Sequence, residues 1–279
     1  MEHVRWSARP ELHQPVVIAA FEGWNDAGDS ASAAARYLVD RWDLDDVADI
    51  DPEEFYDFTS TRPEVRLDED GRREIEWPGT EIYAGTIPGA GDVVVVVGEE
   101  PQLRWRTYAS ELADLAESLG ARLGLTLGAL LAEVPHTRPT PVVGTADSLD
   151  VVPGFELRPS TYEGPTGIVG VLHDAWRRSG LPSASLWATV PSYVPGAPSP
   201  KATLALVERV TAMLHTAVVT TDLEIASASY ERQVSELVDA DEETATYVST
   251  LEARHDSDPG QIPTADTIAE EVERFLREQ

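Results

Sequence analysis

The sequence predicts a three-layer α/β fold on a mainly parallel sheet, with a helical appendage at its C-terminal end. Three observations carry that prediction. Val16 to Phe21 is an apolar run of strand length, entered at Pro15 and followed by a polar turn and a helical pattern. Val93 to Val97 are five consecutive valines bracketed by Asp92 and Gly98, the pattern of a strand covered on both faces. Buried runs then alternate with amphipathic segments as far as ASLWATVP, the order expected of strands and helices wound into a parallel sheet.

In chain order, the turn EGWNDAGD gathers Glu22, Asn25, Asp26 and Asp29 around Gly23 and Gly28. It follows the first buried strand, at the carboxyl end where open α/β sheets bind ligands. Asp29 or Ser30 is placed to cap a helix from about Ala31 to Trp42, with Ala34, Leu38 and Trp42 on one face. Val47 to Ile50 reads as a short strand. FYDFTSTRPEVRL, EDGRR, EIEWP and TEIYAGTI alternate apolar and polar residues around Asp70-Gly71, a hairpin signature with one face in water. This unit is expected at the sheet edge or against a neighbouring subunit.

After the valine strand, Tyr108, Leu112, Leu115 and Leu119 keep helical spacing. RLGLTLGALLAEV is the next strand and runs into the proline-rich loop PHTRPTP; PVVGTAD is a further strand. STYEGPTGIVGVLHDAWRRSG reads as a strand end, a glycine turn and a helix. From Ser199 onward only helices are predicted. Ser199 caps the first, Pro200 takes its first position, and Leu204, Val207 and Leu214 form its buried stripe. LEIASASYERQVSELV and EETATYVSTLEARH follow. After DSDPGQIP comes TADTIAEEVERFLREQ, with a capping box at Thr267 and Glu270 and one face of Ile268, Val272 and Phe275. The expected division is an α/β domain over residues 1–219 and a helical domain over 220–279.

A chain of 279 residues, 42% apolar and 25% charged, has the profile of a soluble globular protein. No apolar stretch approaches the roughly 20 residues of a membrane span, and MEHVRWSARPELHQ lacks the apolar core of a signal peptide, so a cytoplasmic location is expected. The formal charge of −29 argues against nucleic acid and anionic membranes as partners, because phosphates need clustered cations. The acidity reads either as a solvated surface or as an acidic interaction face. The absence of cysteine excludes disulfides and thiol chemistry.

No nucleotide-binding P-loop, GxGxxG or GxSxG is present, and the six histidines lack metal-ligand spacing. No metal and no cofactor is therefore expected, and only a constellation assembled in space carries chemistry. Four loops at predicted strand ends are candidates: Glu22 to Asp29, His136 to Arg138, Glu163 to Gly167, and Pro191 to Lys201. Gly164 and Gly167 flank Pro165 and Thr166 at a helix start, so free backbone N–H groups there either hold an anion or close a tight turn with Thr166 as cap. Lys201, the single lysine, lies in the first turn of its helix, where a cation opposes the dipole by a few tenths of a kcal/mol. It needs a partner, and Glu22, Asp26 or Glu163 would supply one, as an ion pair or as part of a ligand site. His136 and Arg138 either polarise a ligand or fasten their loop. Tyr193 sits in PSYVPGAPSP, a lid or a rigid connector.

AFEGWNDAGDSASAAARYL, EVPHTRP, EGPTGIVGVL and SLWATVPSYVPGAPSPKATLAL together resemble the actinobacterial branch of the proteasome assembly chaperone family. The resemblance runs from about Pro15 to Val218, and the helical tail is similar to the extra helical domain of that branch. It implies a fold similar to the purine nucleoside phosphorylases and related hydrolases, and a homo-oligomer, with a trimer as the expected number. Relatives in eukaryotes and archaea assist assembly of the proteasome core particle by binding its α subunits. Proteasome-binding relatives often end in a hydrophobic residue, tyrosine and any residue, whereas this chain ends Leu276-Arg277-Glu278-Gln279. The family supplies no catalytic residues to carry over.

Two functions are thus set against each other. One is a non-catalytic protein-binding module that assists assembly of a larger complex, with proteasome subunits as partners. The other is a small-molecule enzyme or ligand-binding protein whose pocket uses Asn25, Asp26, His136, Thr166 and Lys201, with an anion at Gly164 to Gly167. Geometry separates them: the second needs those residues around one cleft.

Overall fold

The computed structural model describes residues 1–257 apart from 69, 147–151, 153, 154, 156 and 161. The predicted capping box at Thr267 and Glu270, the face of Ile268, Val272 and Phe275, and the chain end lie outside the described residues.

The strands are β1 (Val4–Trp6), β2 (Val16–Glu22), β3 (Asp45–Ile50), β4 (Glu64–Leu67), β5 (Arg73–Glu76), β6 (Thr80–Ile87), β7 (Gly91–Glu99), β8 (Leu123–Ala132), β9 (Val142–Ala146) and β10 (Ser183–Pro191). The helices are α1 (Ser30–Trp42), α2 (Trp105–Ser118), α3 (Ile168–Ser179), α4 (Pro200–Met213), α5 (Thr221–Asp239) and α6 (Glu242–Ser257). Among the described residues, eight strands form one sheet in the order β1-β3-β6-β7-β2-β8-β10-β9. The central four, β7, β2, β8 and β10, are parallel to one another. β6 and β9 flank them antiparallel, and β3 and β1 extend the sheet beyond β6. The result is a mixed, mostly parallel sheet.

Strict alternation along the central strands builds the three layers. Val16, Ile18 and Ala20 of β2, with Val93, Val95 and Val97 of β7, meet α1 and α4 on one face. Val17, Ala19 and Phe21, with Val94 and Val96, meet α2 and α3 on the other. Both faces of β2 and β7 are therefore buried, which is why these runs read as uninterrupted apolar stretches. α5 packs on α4, and α6 on α5. Tyr230, Val234, Val238 and Val248 form their small separate core.

Two local expectations change and one strand is added. Of the two expected places for the antiparallel unit, β4 and β5 do not take the sheet edge: they form a two-stranded hairpin of their own, while β6 joins the main sheet between β3 and β7. Val4–Trp6 is a strand that no sequence pattern announced, since three residues are too few for a period. Neither Asp29 nor Ser30 caps α1 through its side chain; the Asp26 carboxylate accepts the N–H of Ala31 at 2.5 Å and of Ser32 at 3.3 Å.

Candidate functional site

The predicted loops do meet at the carboxyl end of the sheet. Asn25 accepts a backbone hydrogen bond from Ala129 at 2.8 Å, and Gly28 accepts one from Ser199 at 2.8 Å. A Cβ on Gly167 would lie 2.0 Å from the Asn25 Oδ1 and 2.7 Å from the Glu100 Oε1, so the turn before α3 presses on the turn after β2. The polar side chains there engage one another and the rest of the chain in three groups.

The first group is at α1. Asp26 is buried, and its carboxylate takes the Ala31 and Ser32 N–H groups and the Ser32 hydroxyl. Burial pushes its carboxyl up to about 6, against the opposing pull of those hydrogen bonds. Glu22 pairs outside the cluster with Arg36 at 3.1 Å, and Arg36 also holds Glu81 at 2.7 Å.

The second group is at α3. The helix begins at Gly167, and the positive end of its dipole is met by Glu100, whose Oε1 accepts the Ile168 N–H at 2.8 Å. The backbone N–H at the start of α3 is thus met by this chain's own carboxylate. Burial pushes the Glu100 carboxyl up, while hydrogen bonds from the Ile168 and Trp24 backbone pull it down. Thr166 caps nothing, and Glu163, Gly164 and Thr166 are exposed. Asn25 is buried, and its Oδ1 has no hydrogen-bond partner among the described residues.

The third group joins the core to α5 and α6. Lys201 donates to the His136 carbonyl and pairs with Glu231 of α5 at 2.6 Å, so its partner is none of Glu22, Asp26 or Glu163. The Tyr193 hydroxyl accepts the His136 N–H at 2.8 Å and lies 2.8 Å from the ring Nδ1. The one phenolic proton then goes to Nδ1, which puts the imidazole proton on Nε2, facing Ser235 Oγ of α5 at 3.0 Å. Ser235 passes its own proton to the Glu231 carbonyl at 2.9 Å. Burial holds His136 below the usual histidine range. Arg138 grips Asp256 of α6 through two bonds of 2.8 and 2.7 Å, and Thr137 donates to Glu252. The cavity between His136, Lys201 and Tyr230 measures about 10 Å³, room for about one water molecule.

The sequence thus located the loops but missed the residues that occupy them: Glu100, Glu231, Ser235, Glu252 and Asp256. Glu100 had a usable signal, since it follows the five-valine strand at its carboxyl end, as Glu22 follows β2. The others lie on helices whose docking face no local pattern identifies. Among the described residues no group of three or more metal-ligating side chains occurs, and no helix is long and apolar enough to cross a membrane.

No curated protein matches the chain. Among solved structures, a PAC2 family protein of Streptomyces avermitilis is 43% identical, covers 84% of this chain and 99% of its own, and superposes with a TM-score of 0.77. A proteasome-assembly chaperone homologue of Mycobacterium tuberculosis is 44% identical with the same coverage and a TM-score of 0.75. A Pyrococcus furiosus archaeal proteasome activator shares the fold at 18% identity, with a TM-score of 0.68 over 85% of this chain and 99% of its own. The model of the PAC2 family matches residues 20–238. With actinobacterial relatives at this identity and a family match across most of its length, the chain belongs to the PAC2 family.

Proposed function

We propose that this protein is a non-catalytic protein-binding module that assists assembly of a larger complex, the proteasome core particle, and works in the cytoplasm as a homo-oligomer. The α/β unit of residues 1–219 forms the oligomeric body and residues 220–279 a helical domain fastened to it. One observation carries the reading. The polar groups converging at the carboxyl end of the sheet are spent on the chain itself: Asp26 on α1, Glu100 on α3, and His136, Arg138, Tyr193 and Lys201 on the attachment of α5 and α6 or on one another. The cavity between His136, Lys201 and Tyr230, at about 10 Å³, admits about one water molecule and no metabolite.

The family supports the same reading, since the Mycobacterium tuberculosis relative is a proteasome-assembly chaperone homologue. The rival, a small-molecule site, keeps one observation in its favour: the unpartnered Asn25 Oδ1 against the start of α3. An affinity pull-down of purified α and β proteasome subunits from the same organism decides between them, with a variant lacking residues 258–279 beside the full chain. Retention of α subunits is expected. Loss of retention on truncation would place the contact on the tail, and no retention under conditions that preserve weak complexes would overturn the proteasomal role.

A further inference from the structure

The β4–β5 hairpin is amphipathic, and its apolar face is turned to solvent. Val65 stands opposite Ile75 and Leu67 opposite Arg73, so these four side chains share one face of the ribbon. Glu64, Arg66, Glu74 and Glu76 share the other, where Arg66 pairs with Glu64 and Glu76. Val65, Leu67 and Ile75 are 52%, 69% and 57% exposed. Arg73, the only charge on the apolar face, has no acidic partner among the described residues. An isolated two-stranded hairpin is marginal in water, so this face calls for a cover that is always at hand.

The chain carries a surface of matching chemistry at the turn between α5 and α6. Leu237 is 66% exposed there, within a run that holds Glu236, Asp239, Asp241, Glu242 and Glu243. None of these five acids forms an ion pair among the described residues. Among the described residues no hydrogen bond or ion pair joins this turn to the hairpin of the same chain. An apolar face with one unpaired arginine complements an exposed leucine in an acidic run, in which Asp241 accepts hydrogen bonds from Thr244 at the start of α6 and the other four acids form no ion pair among the described residues. At a net charge of −29 two copies repel each other, so self-association depends on local pairs of opposite sign such as this one.

We propose that the β4–β5 hairpin of one copy docks its Val65, Leu67 and Ile75 face on the α5–α6 turn of a second copy, with Arg73 against the acidic turn. The two surfaces differ, so the contact is heterologous and propagates from copy to copy until a ring closes. This inference rests on the reading of the protein as a homo-oligomer and names the surfaces that make it.

Light scattering on size-separated full-length protein tests it. Leu67→Asp and Arg73→Glu are each expected to weaken self-association at least tenfold with an unchanged circular dichroism spectrum. Adding Glu242→Arg and Glu243→Arg to Arg73→Glu is expected to restore it. Because the chain has no cysteine, Leu67→Cys and Leu237→Cys proteins, made separately and oxidised together, report the contact without depending on destabilising changes. A 67–237 bridge formed only in the mixture supports the proposal; a 67–67 bridge in the single variant overturns it. A wild type that is monomeric at every concentration removes the homo-oligomer reading and this inference with it. An oligomer whose mass both charge variants leave unchanged overturns the interface alone, as does loss of α-subunit retention with self-association intact, which gives the hairpin to the client.

Discussion

The Glu100 carboxylate accepts the backbone N–H of Ile168 at 2.8 Å, and through that bond the end of β7 occupies the positive end of α3. Asp26, in the turn after β2, does the same for α1 on the opposite face of the sheet. The two adjacent central strands are thus each followed by a carboxylate that caps a helix, one helix in each outer layer. Such positions hold ligand phosphates in many α/β proteins. Here the chain fills both positions itself.

Replacing Glu100 separates the cap from the charge. Glu100→Ala leaves the Ile168 N–H without its acceptor and is expected to cost about 1 kcal/mol in urea denaturation, the usual worth of an N-terminal cap. Glu100→Gln keeps an acceptor oxygen and is expected to fall closer to wild type. Because burial raises the Glu100 carboxyl, ionising it becomes a growing cost as pH rises through its folded pKa. The comparison should therefore shift in favour of the glutamine variant as pH increases. An alanine variant as stable as wild type would remove Glu100 from the role of cap.

Asp26 gives a pH dependence whose sign and window are both fixed. Its carboxyl lies at about 6 when folded, against 3.8 in the reference state, so the native chain holds the proton more tightly. The stability this confers is fully present below pH 3.8 and is lost as pH rises to about 6 and beyond. The full difference is roughly 3 kcal/mol. Asp26→Asn retains an acceptor for Ala31 and removes the titration. Subtracting variant from wild-type melting profiles is expected to give a slope confined to that window; parallel profiles would show that Asp26 is not charged at cost in the native state.

The fold was legible because its signals are local. A run such as Val93 to Val97 specifies a doubly covered strand whatever surrounds it, and Ser199-Pro200 marks a helix start, with Ser199 accepting from the Ala202 N–H at 3.4 Å. The site was legible only as a place. Lys201 in the first turn of α4 announced that it needed an acid, yet Glu231 lies thirty residues on, on a helix whose orientation depends on α4, β10 and the loop after β8 together. In the same way, Gly164 and Gly167 announced a helix start, either facing an anion or closing a tight turn, but which carboxylate arrives there is set by the sheet order that puts β7 beside β2.

Gly167 tests how tightly the junction is packed. Its φ of −91° is open to any residue, so an alanine there meets no backbone strain. The obstacle is a Cβ placed 2.0 Å from the Asn25 Oδ1 and 2.7 Å from the Glu100 Oε1. Gly167→Ala is expected to destabilise by about 1–3 kcal/mol, as overpacking does. Combining it with Glu100→Ala, which removes one of the two obstructing groups, is expected to cost less than the sum of the single changes. Simple additivity would mean that the loops separate freely.

The attachment of α5 and α6 is a polar junction, held by Lys201, His136, Thr137 and Arg138. Lys201→Met leaves the His136 carbonyl and the Glu231 carboxylate without their shared donor, an expected loss of about 1–3 kcal/mol. Glu231→Gln should cost less, because Glu231 is 41% exposed whereas Lys201 is 17% exposed. Acid acts on the same junction through His136, whose folded pKa is depressed by burial. Its neutral form is the native one, so its stabilisation is complete above the unfolded value of 6.5 and is lost as pH falls from there toward the folded pKa. A second ring proton would also displace the Tyr193 hydroxyl from Nδ1, since both would then be donors. Hydrogen-exchange protection factors, corrected for intrinsic rates, are expected to fall first in α5 and α6 in Lys201→Met and in wild type below about pH 6, while β2, β7 and β8 stay protected. Uniform loss across all elements would instead make the helical pair part of one cooperative unit with the sheet, and the polar junction would then be a seam within the core.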